Sequence, residues 1–445
     1  MNRHNPSRET GWLRAWGALA WLAILLAGPY FAFRILWSGK YRRGLRQRLT
    51  QYTVSEKERL SQPNAVWLHA VSVGELQAAR PLLQQIKKEH PSLHLLVSTV
   101  TETGQALAQS CAEIDGAFYF PLDLPVLCRR ALDLVQPRCV LMVETELWPN
   151  FIRAVSRRGV PLYLVNARIS DRSYHRYRRL RPLFAPVLQR FEAILAQSPA
   201  DLERFHELGM PAKRLVLGGN LKFDAAVPQL DPTCRDVWRT RFHVAPSEWL
   251  LVGGSTFPGE EKILAEIMLA LRQNGVPLRL LVAPRHVDRV PALVQELRDA
   301  QVEVALRSQL SPDRESVPPA RVLLLDTLGE LRDVYAAADL VFMGKSLCAE
   351  GGQNPLEPAA WSRPIVFGPH MQNFRKIASL LLQREGAVMV HDAEELASTL
   401  RRLCMDAAWR AALGRNARHV VEENLGAVHR VLEVIAPALQ AKETP

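Results

Sequence analysis

Short apolar runs alternate with longer segments of helical period along most of the chain from residue 65 onward. Such alternation predicts parallel βαβ units with right-handed crossovers, and therefore a doubly wound α/β sheet. In the first half, the predicted buried strands are Ala65–Val71, Leu93–Thr99, Cys139–Glu144, Pro161–Asn166 and Ala193–Gln197. The predicted helices between them are Leu76–Glu89, Trp148–Arg158, Arg176–Arg190 and Ala200–Leu208.

The alternation pauses at Asp224–Pro232 and then restarts. The strands predicted after the pause are Trp249–Gly254, Leu278–Ala283, Arg321–Leu325, Leu340–Gly344 and Pro364–Phe367. The helices predicted there are Glu260–Arg272, Ala292–Ala300 and a long last segment from Ala407 to about Leu439. A chain of 445 residues is longer than one ordinary core supports, which also favours two domains.

Two Rossmann-like domains facing a cleft are therefore expected, with ligands at the carboxyl ends of the strands. The predicted domains are an anchor and basic flank at 1–48, a first domain at 49–225, a linker at 226–232, a second domain at 233–425 and a C-terminal helix at 426–445 that returns to the first domain. The alternation alone also fits other two-domain α/β proteins.

The formal net charge of +11 implies an anionic partner, which is a nucleic acid, a membrane surface or a phosphorylated substrate. An apolar run from Trp16 to Phe33 is just long enough to cross a bilayer, and six basic residues follow it between Arg34 and Arg48. A cleaved signal peptide is the alternative. The length of the run and its basic flank favour an N-terminal membrane anchor helix, with the body of the protein in the cytoplasm.

Three motifs of the first half carry charged side chains at predicted strand ends. Glu75 opens a helix, and the helix N-terminus is expected to keep it ionised at neutral pH, as a general base must be. Glu144 and Glu146 close a buried strand, which is costly unless they are hydrogen-bonded or functional. Lys222 precedes the pause and suits a phosphate or a sugar carboxylate. Helix capping and simple solvation remain the alternatives.

In the second half, four loops lie at the ends of predicted strands or at the starts of predicted helices. They are residues 253–261, 283–286, 326–330 and 351–357. Arg285 supplies a forked phosphate donor, and Glu357 can accept two ribose hydroxyls. Pro355 is expected at the first position of a helix whose N–H groups can hold a phosphate. The sequence Gly344-Lys345-Ser346 resembles the end of a P-loop, but Asp339 stands where that motif requires glycine. A dinucleotide dehydrogenase has little support, because no G-x-G-x-x-G motif opens either half.

The ordered set of motifs resembles the 3-deoxy-D-manno-octulosonic acid (Kdo) transferases of lipopolysaccharide assembly. The most specific pieces are His69–Glu75, Glu144–Asn150, Asn166–Arg168, Leu221–Asp224 and Gly352–Glu357. The resemblance implies the GT-B fold and an inverting, metal-independent transfer of Kdo from CMP-Kdo to a lipid A precursor, lipid IVA. It also implies an inner-membrane location, with a phosphorylated lipid as acceptor and no nucleic-acid partner.

By this resemblance, Glu75 accepts the proton of the attacking hydroxyl, and Glu144 and Lys222 stabilise the transition state. The residues expected to contact CMP are Pro284, Arg285, Leu328, Gly329, Glu330, Asn354, Pro355, Leu356 and Glu357. No metal and no cofactor besides the donor substrate are expected.

The chain departs from the family pattern at Lys345, where a second glycine is expected after Gly344. An arginine-rich segment at 168–190 is expected to face the membrane and the phosphates of the acceptor. The alternatives are another GT-B glycosyltransferase, a nucleotide-sugar epimerase, or a non-catalytic membrane-tethered binding protein of the same fold.

Overall fold

The computed structural model describes residues 44–440 apart from 228–230, 232 and 311–320. These residues form two compact units. The first unit runs to Ala225 and also takes the chain from Leu425 onward, and the second unit is Ala226–Asn424. The predicted anchor run from Trp16 to Phe33 lies outside the described residues. None of the described helices combines the length and the apolar character that a membrane span requires.

The first unit contains a seven-stranded, fully parallel sheet in the order β3-β2-β1-β4-β5-β6-β7. Its strands are β1 Ala65–His69, β2 His94–Thr99, β3 Gly116–Tyr119, β4 Cys139–Val143, β5 Leu162–Ala167, β6 Ala193–Ala196 and β7 Leu215–Leu217. Its helices are α1 Leu45–Arg48, α2 Val54–Leu60, α3 Val73–Glu89, α4 Glu102–Ser110, α5 Pro125–Val135, α6 Pro149–Arg157, α7 Asp171–Arg179, α8 Arg181–Leu188, α9 Pro199–Glu207, α10 Leu221–Ala226 and, from the end of the chain, α19 Ala427–Leu439.

The second unit repeats the architecture with a parallel sheet in the order β10-β11-β9-β8-β12-β13-β14. Its strands are β8 Trp249–Thr256, β9 Leu278–Pro284, β10 Val304–Leu306, β11 Val322–Leu324, β12 Leu340–Met343, β13 Ile365–Phe367 and β14 Ala387–Met389. Its helices are α11 Cys234–Arg241, α12 Glu260–Gln273, α13 Val290–Asp299, α14 Leu331–Val334, α15 Leu356–Ala360, α16 Arg375–Gln383, α17 Ala393–Met405 and α18 Ala407–Glu423.

Helices cover both faces of the first sheet, which explains why its central strands are continuously apolar. Trp67 of β1 faces one core cluster, together with residues of α5 and α6. The next residue, Leu68, faces the opposite cluster, where α3 and Val431 of α19 pack. The last helix is therefore part of the core of the first unit.

Two predicted helices are each divided in the structure. The segment expected at Arg176–Arg190 is instead α7 and α8, which meet at Leu180 because Pro182 cannot donate an N–H to the preceding turn. The segment expected from Ala407 to about Leu439 is instead α18 and α19. They are separated at Gly426, whose φ of 84° is left-handed and interrupts a helix.

Candidate active site

The first sheet reverses its strand order between β1 and β4, and this reversal determines where a ligand is expected. From β1 the chain moves outward to β2 and β3, and then returns to add β4 on the other side of β1. Ligands of open α/β sheets bind outside the carboxyl ends of the strands at such a switch point. Glu75 lies in the first turn of the helix that follows β1, and Glu144 directly follows β4. The topology thus brings together two carboxylates that are far apart in sequence.

In the first turn of α3, the side chain of Glu75 is held by hydrogen bonds from the residues just before it. Its carboxylate accepts the N–H of Val71 at 2.7 Å and the hydroxyl of Ser72 at 3.2 Å. The Ser72 hydroxyl in turn caps α3 by accepting the N–H of Glu75 at 3.4 Å. The capping role considered from the sequence is therefore present, and it fixes the direction of the carboxylate.

The expectation that the helix N-terminus keeps Glu75 ionised at neutral pH is wrong. Burial raises the pKa of Glu75 to about 7, because removal from water disfavours the charged form. The N–H of Val71 opposes this shift, whereas the negative charges of Glu144 and Glu146 add to it. A carboxyl group with this pKa can exchange a proton near neutral pH, as a general base does.

At the end of β4, the side chain of Glu144 contacts residues of two other sequence motifs. It is only 7 % exposed, and its φ of 60° turns the chain out of the strand. Its carboxylate accepts the Nε–H of Arg168 at 2.6 Å, and the Nζ of Lys222 lies 3.7 Å from its other oxygen. Paired cations offset the cost of burying this charge. Glu144, Arg168 and Lys222 therefore form one ion-pair group.

Asn166, at the end of β5, positions the helix that carries Lys222. It is buried and left-handed, with φ of 53°, and its side-chain oxygen accepts the N–H of Leu221 at 3.1 Å. At the other end of α10, the carboxylate of Asp224 accepts the N–H groups of Gly426 and Ala427, each at 3.0 Å. Both ends of the Leu221–Asp224 motif are thus fixed within the first unit.

Glu146 was noted in the sequence as part of a carboxylate pair but was given no role. Its carboxylate accepts the indole N–H of Trp148 at 2.9 Å. Burial raises its pKa to about 7, and the charge of Glu144 contributes in the same direction. The signal in the sequence was a second carboxylate at the end of a buried strand, because burial there perturbs a pKa, and perturbed pKa values cluster at functional sites.

The second sheet has its switch point between β8 and β12, where the backbones come very close. The N–H of Gly344 donates to the carbonyl of Gly254 at 2.8 Å. A Cβ on Gly344 would lie 2.5 Å from the carbonyl oxygen of Ser255, so no larger residue fits there. The loops after these two strands are the ones expected to surround a ligand.

Glu260 fixes the loop after β12, and the sequence gave no indication of this role. Its buried carboxylate accepts the backbone N–H of Phe257 at 2.9 Å and those of residues 345–348 at 2.8 to 3.4 Å. Consecutive N–H groups of this kind form a nest that suits an anion. Here the chain's own carboxylate fills the nest, and the loop is held against the start of α12.

Arg285 and Glu357, both predicted to contact the nucleotide, are close enough for their charges to interact. Arg285 is exposed after β9, and its N–H donates to the carbonyl of Thr256 at the end of β8. Burial raises the pKa of the Glu357 carboxyl, and the nearby charges of Arg332 and Arg285 oppose that shift. The amide of Asn354 donates to Glu357 at 3.1 Å.

The other predicted nucleotide residues have varied surroundings. Pro284 ends β9 and is buried, whereas Leu328 is exposed beside Gly329, whose φ is 86°. Glu330 is already paired with Arg307 at 2.9 Å. Pro355 was expected at the first helical position, but it is the N-cap of α15, a helix of only five residues. The side chain of Asn354 accepts the N–H of Leu356, the first residue of that helix.

No group of three or more potential metal ligands is found among the residues that the structure describes. Cations that lie near the two switch points include Arg168 and Lys222, both paired with Glu144, in the first unit and Arg285 in the second. Two doubly wound sheets with charged side chains at their strand ends are the arrangement expected of a GT-B protein. The predicted architecture of two Rossmann-like units is confirmed.

The same fold occurs in solved structures of low sequence identity. UDP-GlcNAc 2-epimerase from Neisseria meningitidis, bound to UDP-GlcNAc, aligns with a TM-score of 0.56 and covers 84 % of this chain and 100 % of that chain. Its sequence is 11 % identical, so the likeness concerns the fold alone.

Sequence relatives identify the family. The family model described as 3-deoxy-D-manno-octulosonic-acid transferase (kdotransferase) matches residues 43–225. The 3-deoxy-D-manno-octulosonic acid transferase of Haemophilus influenzae is 33 % identical over 85 % of this chain and 88 % of its own length. The transferase of the same name from Bordetella pertussis is 33 % identical over 83 % and 86 %. The chain belongs to the Kdo transferase family and is a glycosyltransferase, as the motifs predicted.

Replacing Glu260 with glutamine tests its role in the loop after β12. We expect Glu260→Gln to destabilise the second unit by about 3 kcal/mol, since the amide has one acceptor oxygen and leaves buried N–H groups unsatisfied. Urea unfolding measures the loss, and hydrogen exchange of residues 345–348 should accelerate. Glu266→Gln, on the exposed face of the same helix, is the matched control and should change stability by less than about 0.5 kcal/mol. Unchanged exchange in Glu260→Gln would contradict the proposed role.

Proposed function

We propose that this transferase moves Kdo from CMP-Kdo to a hydroxyl group of lipid IVA, with inversion at the sugar carbon. Membership of the Kdo transferase family supports the donor and the lipid acceptor. The observation that carries the mechanism is the half-buried Glu75 carboxyl, whose pKa is raised to about 7, at the switch point of the first sheet. Another sugar donor, or binding without catalysis, is the competing assignment.

On the acceptor side, deprotonated Glu75 takes the proton of the attacking hydroxyl as the new bond to the sugar forms. The hydrogen bonds from Val71 and Ser72 keep its carboxylate oriented throughout the step. Lys222, held beside Glu144, supplies positive charge where negative charge develops. Arg168, on the other oxygen of Glu144, holds that carboxylate in place.

On the donor side, the leaving group is the phosphate of CMP. Arg285 can donate two hydrogen bonds to it through its guanidinium fork. Glu357, oriented by Asn354, can accept hydrogen bonds from the ribose hydroxyls when it is ionised. In this scheme side-chain cations stabilise the departing phosphate, so the reaction requires no metal ion.

The membrane contact is proposed to have two parts. The apolar run from Trp16 to Phe33 anchors the protein in the inner membrane, with both units in the cytoplasm. Helix α7 then presents Arg172, Arg176 and Arg179, all exposed, to lipid phosphates. These residues lie three and four positions apart, so they share one face of the helix.

Glu75→Gln tests the base directly. We expect the variant to lose at least about a thousandfold in kcat, which is within the usual contribution of a general base, because the amide cannot accept the proton. Its affinity for CMP should stay within about twofold, since Glu75 belongs to the other unit from the predicted nucleotide residues. Mass spectrometry of lipid IVA after incubation with CMP-Kdo measures transfer, and calorimetry measures CMP binding.

Several outcomes of that assay discriminate among the assignments. Full activity of Glu75→Gln would remove Glu75 from the mechanism. A wild-type protein that binds CMP but leaves the lipid unmodified would favour the non-catalytic assignment. The wild-type rate should be unchanged in EDTA, and a loss that a divalent ion restores would contradict the metal-free reaction.

The membrane surface is tested by replacing Arg172, Arg176 and Arg179 with serine together. We expect KM for the lipid acceptor in anionic vesicles to rise roughly tenfold or more, since each surface cation contributes about 1 kcal/mol. KM for CMP-Kdo should not change. The control removes three exposed arginines of the second unit, namely Arg298, Arg401 and Arg415. An unchanged KM for the lipid would exclude α7 as the membrane-facing surface. Release of the full chain from membranes by alkaline carbonate would contradict the proposed anchor.

A further inference from the structure

The residue directly after β12 and Gly344 has a backbone conformation that its type disfavours. Lys345 has φ of 56°, in the left-handed region where glycine is at ease and a long side chain is strained. It stands where the family pattern leads one to expect a second glycine. A strained residue persists when its surroundings over-determine it, and such residues cluster at functional sites.

The surroundings do hold the backbone of Lys345 from both sides. Its N–H donates to the buried Glu260 carboxylate at 2.8 Å. Its carbonyl accepts the N–H of Gly352 at 2.7 Å. The loop therefore keeps this conformation with a lysine in place, and the direction of the side chain is set by the fixed backbone.

The lysine side chain runs to the switch point of the second sheet. Its Nζ lies 5.0 Å from the centre of the Phe257 ring, which follows β8. Gly351 leaves room for it, since a Cβ on that glycine would lie 3.2 Å from the Cε of Lys345. The Phe257 ring also contacts His286, the neighbour of Arg285, at 5.7 Å between ring centres. The ammonium thus stands beside the loop predicted to hold the donor.

The charge of Lys345 has no acidic partner among the residues that the structure describes. Both oxygens of Glu260 are taken by backbone N–H groups, and no ion pair joins Lys345 to any other described residue. A half-buried ammonium packed over an aromatic face and lacking a carboxylate is suited to receive an anion.

We propose that Lys345 binds an oxyanion of the sugar-nucleotide donor and so helps to determine donor affinity. This inference rests on the proposed function, because CMP-Kdo carries two such anions, the phosphate and the sugar carboxylate. Arg285 is assigned to the phosphate, and Lys345 adds a second cation on the opposite side of the end of β8. Which of the two oxyanions it takes is decided by the experiment.

The test compares Lys345→Met and Lys345→Arg with the wild-type chain. Methionine retains the length and the left-handed strain but removes the charge, and arginine restores the charge. We expect Lys345→Met to raise KM for CMP-Kdo about tenfold, the typical worth of one charge-assisted hydrogen bond, and Lys345→Arg to stay within about threefold. Lys262→Met is the control, because Lys262 is exposed on α12 and paired with Glu266.

Calorimetry with CMP and with cytidine separates the two oxyanions. Weaker CMP binding by Lys345→Met with unchanged cytidine binding assigns the phosphate. Unchanged CMP binding with a raised KM for CMP-Kdo assigns the sugar carboxylate. Either result supports the proposal. A Lys345→Met variant equal to the wild type in both measurements would overturn it, and so would a Lys345→Arg variant as impaired as Lys345→Met.

A purely structural role for Lys345 makes the opposite prediction for Lys345→Gly. Under our proposal this variant relieves the backbone strain, so its Tm should equal or exceed that of the wild type while KM for CMP-Kdo rises about tenfold. A lowered Tm with unchanged KM would overturn the proposal. A wild-type chain that binds CMP but does not use CMP-Kdo would refute the proposed function, and CMP binding by Lys345→Met would then decide the present inference alone.

Discussion

The ion-pair group of Glu144, Arg168 and Lys222 is the interaction on which the catalytic side of the first unit depends. A carboxylate this well buried requires cationic or hydrogen-bonding partners, because an unpaired buried charge costs several kcal/mol. Supplying those partners draws the ends of β4 and β5 and the start of α10 to one point. The carboxylates of Glu144 and Glu146 also add to the effect of burial, which raises the pKa of Glu75. Glu144 therefore both joins the loops and contributes to the raised pKa of Glu75.

The second unit uses a buried carboxylate differently. Within the described part of the chain Glu260 has no cationic partner, and it instead accepts a row of backbone N–H groups in the loop after β12. That loop would otherwise offer its own nest to an anion. Because Glu260 occupies it, we propose that side-chain cations recognise the donor anion instead. Both units thus place rigid loops at the switch point of a doubly wound sheet, where this fold binds ligands.

The sequence predicted the long central strands well, because helices on both faces make them continuously apolar. It missed β3, β7, β10 and β14, which have only three or four residues and lie toward the sheet edges. The motifs around Glu144, Arg168 and Lys222 were recognised one by one, but their contact depends on strand order, which no local pattern contains. The ionisation of Glu75 was predicted wrongly because desolvation depends on tertiary burial. Glu260 was missed because a glutamate in a first helical turn ordinarily needs no partner beyond the helix dipole.

The central claim is that burial at the switch point gives Glu75 a pKa near 7 and makes it the base. The most direct test is the pH dependence of kcat/KM for Kdo transfer, which reports the essential ionisations of the free enzyme. Because the base must be deprotonated and burial has raised its pKa, kcat/KM should rise with unit slope at low pH and level off above about pH 7. A profile already flat down to about pH 5 would place the ionisation near the ordinary glutamate value of 4.5 and contradict the account.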